Sequence, residues 1–331
     1  MNQAMGVYVP SVARTVAEPA RVWVRPDARR ALQLVLAAIW LLDGVLQLQA
    51  FFFTKAFGSQ MIPMTAPGNP AIIARAINWS GSMISHHAVL ADSVFALVQV
   101  AIGLGIAWRP TLRIALAGSI AWSFGVWWMG EGFGGVFSGA ANPVNGAPGA
   151  VMIYALLAVL LWPREHAEVD RSFPAAMAVG ARAAKALWFV LWGSLSYFAV
   201  AGPNSSAQGL HGLISSMATG EPRWVLWLDR NTASLLAHHG LAVSVVLAVL
   251  LGIVAVVAYL PRRLANATLG LGIVLGLAFW IVGENFGALF TNSATDVNSG
   301  PLLILLSAAF WRPAPRIDPL RTDVAFSSGG T

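Results

Sequence analysis

The chain has 331 residues, 57% of them hydrophobic and only 10% charged, with a mean hydropathy of +0.68. A soluble globular protein carries about a quarter charged residues, so this composition argues against a water-soluble fold and for an integral membrane protein. The net charge of +6 does not indicate a nucleic-acid partner, because the basic residues are mostly Arg and fall between apolar runs, and the absence of cysteine removes disulfides, thiolate chemistry and Cys-ligated metals.

Residues 1–29 carry Arg14, Arg21, Arg25 and Arg29, adjoin Arg30 and contain no apolar run, which predicts a cytoplasmic basic tail. The first run, Ala31 to Phe53, is long enough to cross a bilayer, which takes about 20 residues in a helix. It holds an acid, Asp43, with Gln47 and Gln49 nearby. The loop that follows places Met61-x-x-Met64 and Met83-x-x-His86 outside, where soft donors would suit copper. His86 and His87 precede the second span, Ala88 to Trp108, which carries Asp92. Arg109 and Arg113 mark an inner turn before the third span, Leu112 to Met129. This span leads out to a Gly-rich loop with Glu131 and Asn145, and the short run Gly149 to Trp162 returns.

Four comparable runs follow: Ala186 to Ala201, Leu241 to Tyr259, Leu264 to Val282 and the short Pro301 to Trp311. His238 and His239 precede the second of these, and Glu284, Asp296 and Asn298 lie in the loop before the last. His166 and His211 stand in polar loops, where solvation is expected. With both termini inside, sixteen basic residues fall on the cytoplasmic side and four outside: Lys55, Arg75, Arg223 and Arg230. This positive-inside bias predicts eight spans in the cell inner (plasma) membrane.

Self-comparison shows a duplication. Gly130 to Pro148 reads GEGFGGVFSGAANPVNGAP and Gly283 to Pro301 reads GENFGALFTNSATDVNSGP, nine of nineteen positions being identical at an offset of 153. At an offset of 152, His86-His87 matches His238-His239, and Gly68 with Pro70 matches Gly220 with Pro222. The predicted fold is therefore all-α, with eight transmembrane helices as two parallel four-helix repeats. The first module spans 30–163, a cytoplasmic linker 164–181, the second module 182–312, and a disordered cytoplasmic tail 313–331.

The stretch from Ala91 to Ser123, ADSVFALVQVAIGLGIAWRPTLRIALAGSIAWS, resembles the central hairpin of the DoxX-like membrane protein family, with a Gly-containing helix, a short Arg-bearing inner turn and a second apolar helix. Gly44 and Gln47 are similar in placement to the first helix of that family. The chain departs from the pattern at Gln99, where many relatives carry an acid, and in the GE-x-FG motif with its long loop. The resemblance implies a four-span module. Through relatives linked to quinone-coupled sulfur oxidation, it also implies quinone as a partner.

Ionisable groups at membrane depth are costly and therefore functional candidates. Helix direction brings His86, His87 and Glu131 to one outer level and His238, His239 and Glu284 to the equivalent one. Three readings remain open for this layer. The glutamates fix the loops; or His86 and His239 ligate a haem or metal, with carboxylates orienting the rings; or Glu and His form a proton path in a transporter. The expectation taken forward is quinone-linked membrane redox chemistry. A small-molecule or proton-coupled transporter is the alternative, followed by a non-catalytic subunit of a membrane complex. The cofactors considered are haem, quinone and copper. The partners expected are the lipid bilayer and other membrane subunits, with no nucleic acid. GEGFGG is not a nucleotide loop, since it follows an apolar run and has no lysine partner.

Overall fold

The structure, a computed structural model, describes residues 28–163, 173–217, 220–237 and 239–312. Both terminal tails, His166, His238 and the first half of the linker lie outside the described residues. Every regular element among the described residues is helical. Three helices are long and apolar enough to cross a membrane: Ala88–Ala107, Gly240–Tyr259 and Arg262–Gly283. Two shorter apolar helices, Ala150–Leu160 and Ser299–Ala309, have 11 residues each and reach about 16 Å.

In chain order the principal helices are α1 (Ala28–Leu46), α2 (Ala71–His86), α3 (Ala88–Ala107), α4 (Leu112–Met129), α5 (Ala150–Leu160) and the short α6 (Ala176–Val179). They continue with α7 (Ala181–Phe198), α8 (Gly209–Met217), α9 (Arg223–Leu236), α10 (Gly240–Val256), α11 (Arg262–Ala278) and α12 (Ser299–Ala309). α1 packs on α3 and α7 on α10, while α4 packs on α5 and α11 on α12; α5 and α12 meet in the middle. The α1–α3 crossing is close because glycines stand at it. A Cβ on Gly44 would lie 2.6 Å from the Val100 side chain, and one on Gly103 would lie 2.8 Å from that of Leu41.

Helix ends follow local chemistry. α3 stops before Pro110, and Thr111 Oγ1 donates to Gly105 O at 2.9 Å. Arg30 donates to Ile106 O at 2.9 Å and to Ala107 O, so a cation meets the carbonyl end of α3. Arg312 does the same for the chain after α10, donating to Leu260 O at 2.7 Å and Ala258 O at 2.6 Å. The repeated Gly-x-Pro pairs both start helices. Gly68 and Gly220 take left-handed φ of +77° and +83°, and Pro70 and Pro222 cap α2 and α9.

The first apolar run folds less far than its composition predicts. α1 ends at Leu46, and residues 47–54 turn back, with Phe52 and Phe57 packed edge to face at 4.9 Å. The outer loops fold as helices. α2 buries Ile73, Ile77, Ser80 and Ile84 on one face, and α9 buries Val225, Asp229 and Ala233. Within the predicted linker, Phe173, Ala175, Ala176 and Ala178 are buried, and Ala175 N donates to Ala309 O at 2.9 Å.

Candidate functional site

The two GE-x-FG stretches build the same turn. After α4, Glu131 N donates to Val126 O at 2.9 Å and Gly134 N to Glu131 O at 2.9 Å. After α11, Glu284 N donates to Phe279 O at 2.9 Å and Gly287 N to Glu284 O at 2.7 Å. Phe133 and Phe286 both occupy the left-handed region, with φ of 58° and 59°, a costly choice for a large residue. Aromatic packing holds them there. Trp127 and Phe133 stand 4.8 Å apart and Trp280 and Phe286 5.4 Å apart, centroid to centroid.

This turn aims each glutamate at the start of the next helix. Glu131 accepts from the Val151 N–H of α5. Glu284 accepts from Gly300 N at 2.9 Å and from the Ser299 hydroxyl at the start of α12. Both acids thus occupy the favourable end of a helix dipole and meet otherwise unpaired N–H groups. Space for Glu131 exists because residue 149 is glycine, where a Cβ would lie 2.1 Å from Glu131 Oε2.

The loops also meet each other. A Cβ on Gly283 would fall 1.8 Å from Val144 O, and one on Gly146 would fall 2.7 Å from Asn298 Oδ1. Each loop is held by an amide from the other half. Asn204, just beyond α7, donates to Ala141 O at 3.0 Å and to Phe198 O at 2.8 Å, while Asn142 donates to Asn204 Oδ1 at 2.7 Å. Gln49, just beyond α1, donates to Ala294 O at 3.5 Å; Ala294 is the counterpart of Ala141.

Between the loops lies a cavity of 520 Å³ lined by Glu131, Asn145, Glu221, Glu284, Asp296 and Asn298, among others. A second cavity of 400 Å³ lies beside it between α1, α2, α3 and α4. This one is largely apolar, walled by Trp40, Trp79, Phe95 and Trp122, with Asp43 and Gln99 inside. Glu131 and Asp296 line both cavities, so the acids form the partition between a polar chamber and an aromatic cleft. Among the described residues, no Lys, Arg or His lines either.

Asp296 is close enough to Asp43, Glu131, Tyr154 and Glu284 to act on each through its charge. It accepts from Asn298 N at 2.7 Å and from Thr295 Oγ1 at 2.8 Å. Asp43 accepts from the Tyr154 hydroxyl and from the Val297 N–H, which ties α1 to the loop of the second half. Burial, reinforced by the Asp296 charge, raises Glu131 from 4.5 to about 8. Burial also raises Glu284 to about 7, against the hydrogen bonds from Ser299 and Gly300 that favour its charged form. Asp296 is raised by burial too.

Of the layer's histidines, the described ones, His86, His87 and His239, line neither cavity. His86 is exposed and its Nδ1 lies 2.7 Å from Ser82 O of its own helix. His87 is exposed at the α2–α3 break and His239 at the matching start of α10. Among the described residues, no group of three His, Cys, Asp or Glu side chains stands close enough to share a metal ion. His211 is not simply solvated, since its Nδ1 lies 2.8 Å from Ala233 O and joins α8 to α9. Asp92 is fully buried on α3 and accepts from Gln47 Nε2 at 2.5 Å, so Gln47 serves Asp92 and not Asp43.

Several buried polar residues around the two cavities carry no signal in the sequence. Asn142 and Asn204 are unlike their counterparts in the other half, so self-comparison passed over them. Tyr154 lies in an unbroken apolar run, and its contact with Asp43 spans 111 positions of sequence. Asp229, 1% exposed on α9, receives Asn285 Nδ2 at 3.1 Å, and neither has a like residue in the first half.

No family model, curated protein or solved structure matches the chain.

Proposed function

We propose that the chain is an eight-span protein of the cell inner membrane, built as two parallel four-helix repeats of the DoxX-like kind, with both termini cytoplasmic. Its loop chamber would then work as the proton-exchanging site of a carrier for a small cationic solute. The observation that carries the reading is the chamber itself. Two duplicated glutamates and Asp296 line one cavity with no basic residue on its wall among the described residues, and burial raises the glutamates to about 8 and about 7. Acids with such values change charge near neutral pH, as a site that trades protons for a cation requires. The repeat arrangement is supported by the matched turns, by the reciprocal Asn204 and Gln49 contacts, and by the shared α5–α12 centre. Membrane insertion is supported by helices apolar on every side, whose outer faces expose residues such as Leu97, Leu104, Val246 and Val249.

Quinone-linked redox chemistry is the second reading, favoured by one observation: the aromatic cleft has the Tyr154–Asp43 pair at its floor. A haem or copper site is less well supported, because His86, His87 and His239 are exposed and line neither cavity, and Met64 is 76% exposed.

Proteoliposomes that enclose a pH-sensitive dye test the carrier reading. Guanidinium stays charged at any working pH, so it does not cross the lipid as a neutral base. Its addition outside an acid-loaded vesicle is expected to alkalinise the lumen faster than in protein-free vesicles, and Glu131→Gln and Glu284→Gln are each expected to abolish the difference. Rates equal to those of empty vesicles, or unchanged in both variants, refute the carrier.

A further inference from the structure

Four polar atoms on the wall of the aromatic cleft are buried without a hydrogen-bond partner: Trp40 Nε1, Asp43 Oδ1, Gln99 Oε1 and Glu131 Oε2. They come from α1, from α3 and from the turn after α4, so no single local distortion produces them. Asp43 is 1% exposed and Gln99 8%, at positions where bulk water does not supply the missing partner. Buried polar groups are paired in the great majority of proteins, and an unpaired set facing one cavity indicates a missing partner there.

The second half shows that folding does not require polarity at the positions of Asp43 and Gln99. At the offset of 152 that aligns the histidine pairs, Trp40 matches Trp192, Asp43 matches Leu195, Gln47 matches Ala199 and Gln99 matches Leu251. All four counterparts are buried at 1% exposure or less. The same helix pair therefore packs with aliphatic residues at three of these positions and keeps a tryptophan with an equally unpartnered Nε1 at the fourth, so the open oxygens of Asp43 and Gln99 are the polarity that the first half adds.

The inventory of open groups defines the ligand's head. Once the Glu131 proton is released, Asp43 and Glu131 offer carboxylate oxygens and Gln99 a carbonyl, against donors from Trp40 and from the Gln99 amide. A quinone brings only carbonyl acceptors, which leaves the open oxygens of Asp43 and Glu131 without a donor. A protonated amine brings N–H donors and a positive charge. The walls define the body: Trp79, Phe95 and Trp122 bound a volume of 400 Å³, within the range of pockets for small organic molecules. Trp79 and Met83, at the cleft mouth, are exposed.

We propose that the cleft between α1, α2, α3 and α4 binds a lipophilic amine, with its ammonium N–H groups donating to Asp43, Gln99 and Glu131 and its apolar body against Trp79, Phe95 and Trp122. This deepens the carrier reading by naming the ligand class, and its binding test is independent of transport.

Purified protein in detergent is titrated with 2-phenylethylamine, with 2-phenylethanol and phenylacetate as neutral and anionic controls and a short-chain quinone as the competing class. Tryptophan fluorescence and the melting midpoint are read together. The amine is expected to give a saturable signal and to raise the midpoint, and the alcohol, the acid and the quinone to bind at least about tenfold more weakly. Asp43→Asn is expected to weaken the amine by about tenfold or more, the loss of a charge-assisted hydrogen bond. Gln99→Leu installs the residue found at Leu251 and is expected to fold and to bind less tightly, so the test survives even if Asp43→Asn fails to fold. The proposal is overturned if the alcohol or the quinone binds as tightly as the amine, if no saturable signal appears, or if folded variants bind unchanged. Saturable amine binding without guanidinium flux overturns the carrier reading and upholds this one.

Discussion

The raised value of Glu131 makes a prediction whose sign is opposite to that for an ordinary carboxylate. In the folded protein Glu131 holds its proton up to about pH 8, whereas in the unfolded chain it releases it at the usual 4.5. Between these values the folded state binds more protons than the unfolded one, so stability falls as pH rises. The contribution is complete below about pH 4.5 and is lost progressively up to about pH 8. At 1.36 kcal/mol per pH unit the whole span corresponds to about 5 kcal/mol, and the interval from about pH 5.5 to 7.5 to roughly 2–3 kcal/mol. For a chain of this size that is roughly 3–4 °C of melting midpoint. Glu131→Gln keeps the shape and the acceptor for the Val151 N–H but has no proton to lose. The variant should match the parent at about pH 5, exceed it at pH 8, and show a flatter dependence in between. Thermal unfolding in detergent at a fixed scan rate is the assay. A parent midpoint that is flat or rising from about pH 5.5 to 8, or a variant less stable than the parent at pH 8, refutes the buried-proton argument.

Three further outcomes are expected. Glu284→Gln should show the same sign over a narrower window closing at about pH 7, and loss of the effect above that value checks it against Glu131→Gln in the same assay. Gly134→Ala places a Cβ 2.1 Å from Pro148 O at a φ of +61°, so it should destabilise by roughly 2–4 kcal/mol; an unchanged midpoint refutes the turn geometry. Asn204→Ala removes the bonds to Ala141 and Phe198 and should cost about 2–3 kcal/mol, whereas Asn231→Ala on the exposed face of α9 should leave the midpoint in place. The cysteine-free chain also suits topology mapping. Arg75→Cys and Arg230→Cys should react with an impermeant maleimide added outside intact cells, and Arg109→Cys should react only after lysis; the reverse pattern refutes the inward orientation of the termini.

Much of the helical frame was legible because apolar runs and prolines are local signals. α3, α4, α10 and α11 fall where hydropathy places them, and Pro110 and Pro261 stand at their ends. α2 and α9 were not read as helices, because their buried residues form one narrow face within a polar composition. The duplicated Glu131 and Glu284 were legible as a pair, but their partners were not. Helix direction places groups at a level, not around an axis, and so it grouped the histidines with the acids, whereas His86 bonds back to its own helix. Asp296 stood out only as a neighbour of Asn298, although its contacts with Asp43 and Tyr154 make it central. Those contacts join positions more than a hundred residues apart, and no spacing rule reaches that far.

The two kinds of polar residue here divide by whether the duplication kept them. Those present in both halves do structural work: each glutamate caps the helix that follows its turn, and each Phe sits in a strained conformation held by a Trp. Four of those present in the first half alone line the cleft, where Asp43, Gln47, Gln99 and Tyr154 have Leu195, Ala199, Leu251 and Ser307 as counterparts, while Asn204 and the Asp229–Asn285 pair of the second half stand outside it. A repeat supplies a frame that tolerates apolar residues at these positions, as the second half demonstrates at Leu195 and Leu251. The open oxygens of Asp43 and Gln99 then carry a desolvation cost that the frame does not require, and a bound partner is the simplest physical reason for them to stand there. Glu131 belongs to both sets. Its backbone turn and its bond to α5 repeat in Glu284, but its second carboxyl oxygen is open where Glu284 is satisfied by Ser299 and Gly300. The chamber and the cleft therefore meet at the one duplicated acid that has kept a free oxygen.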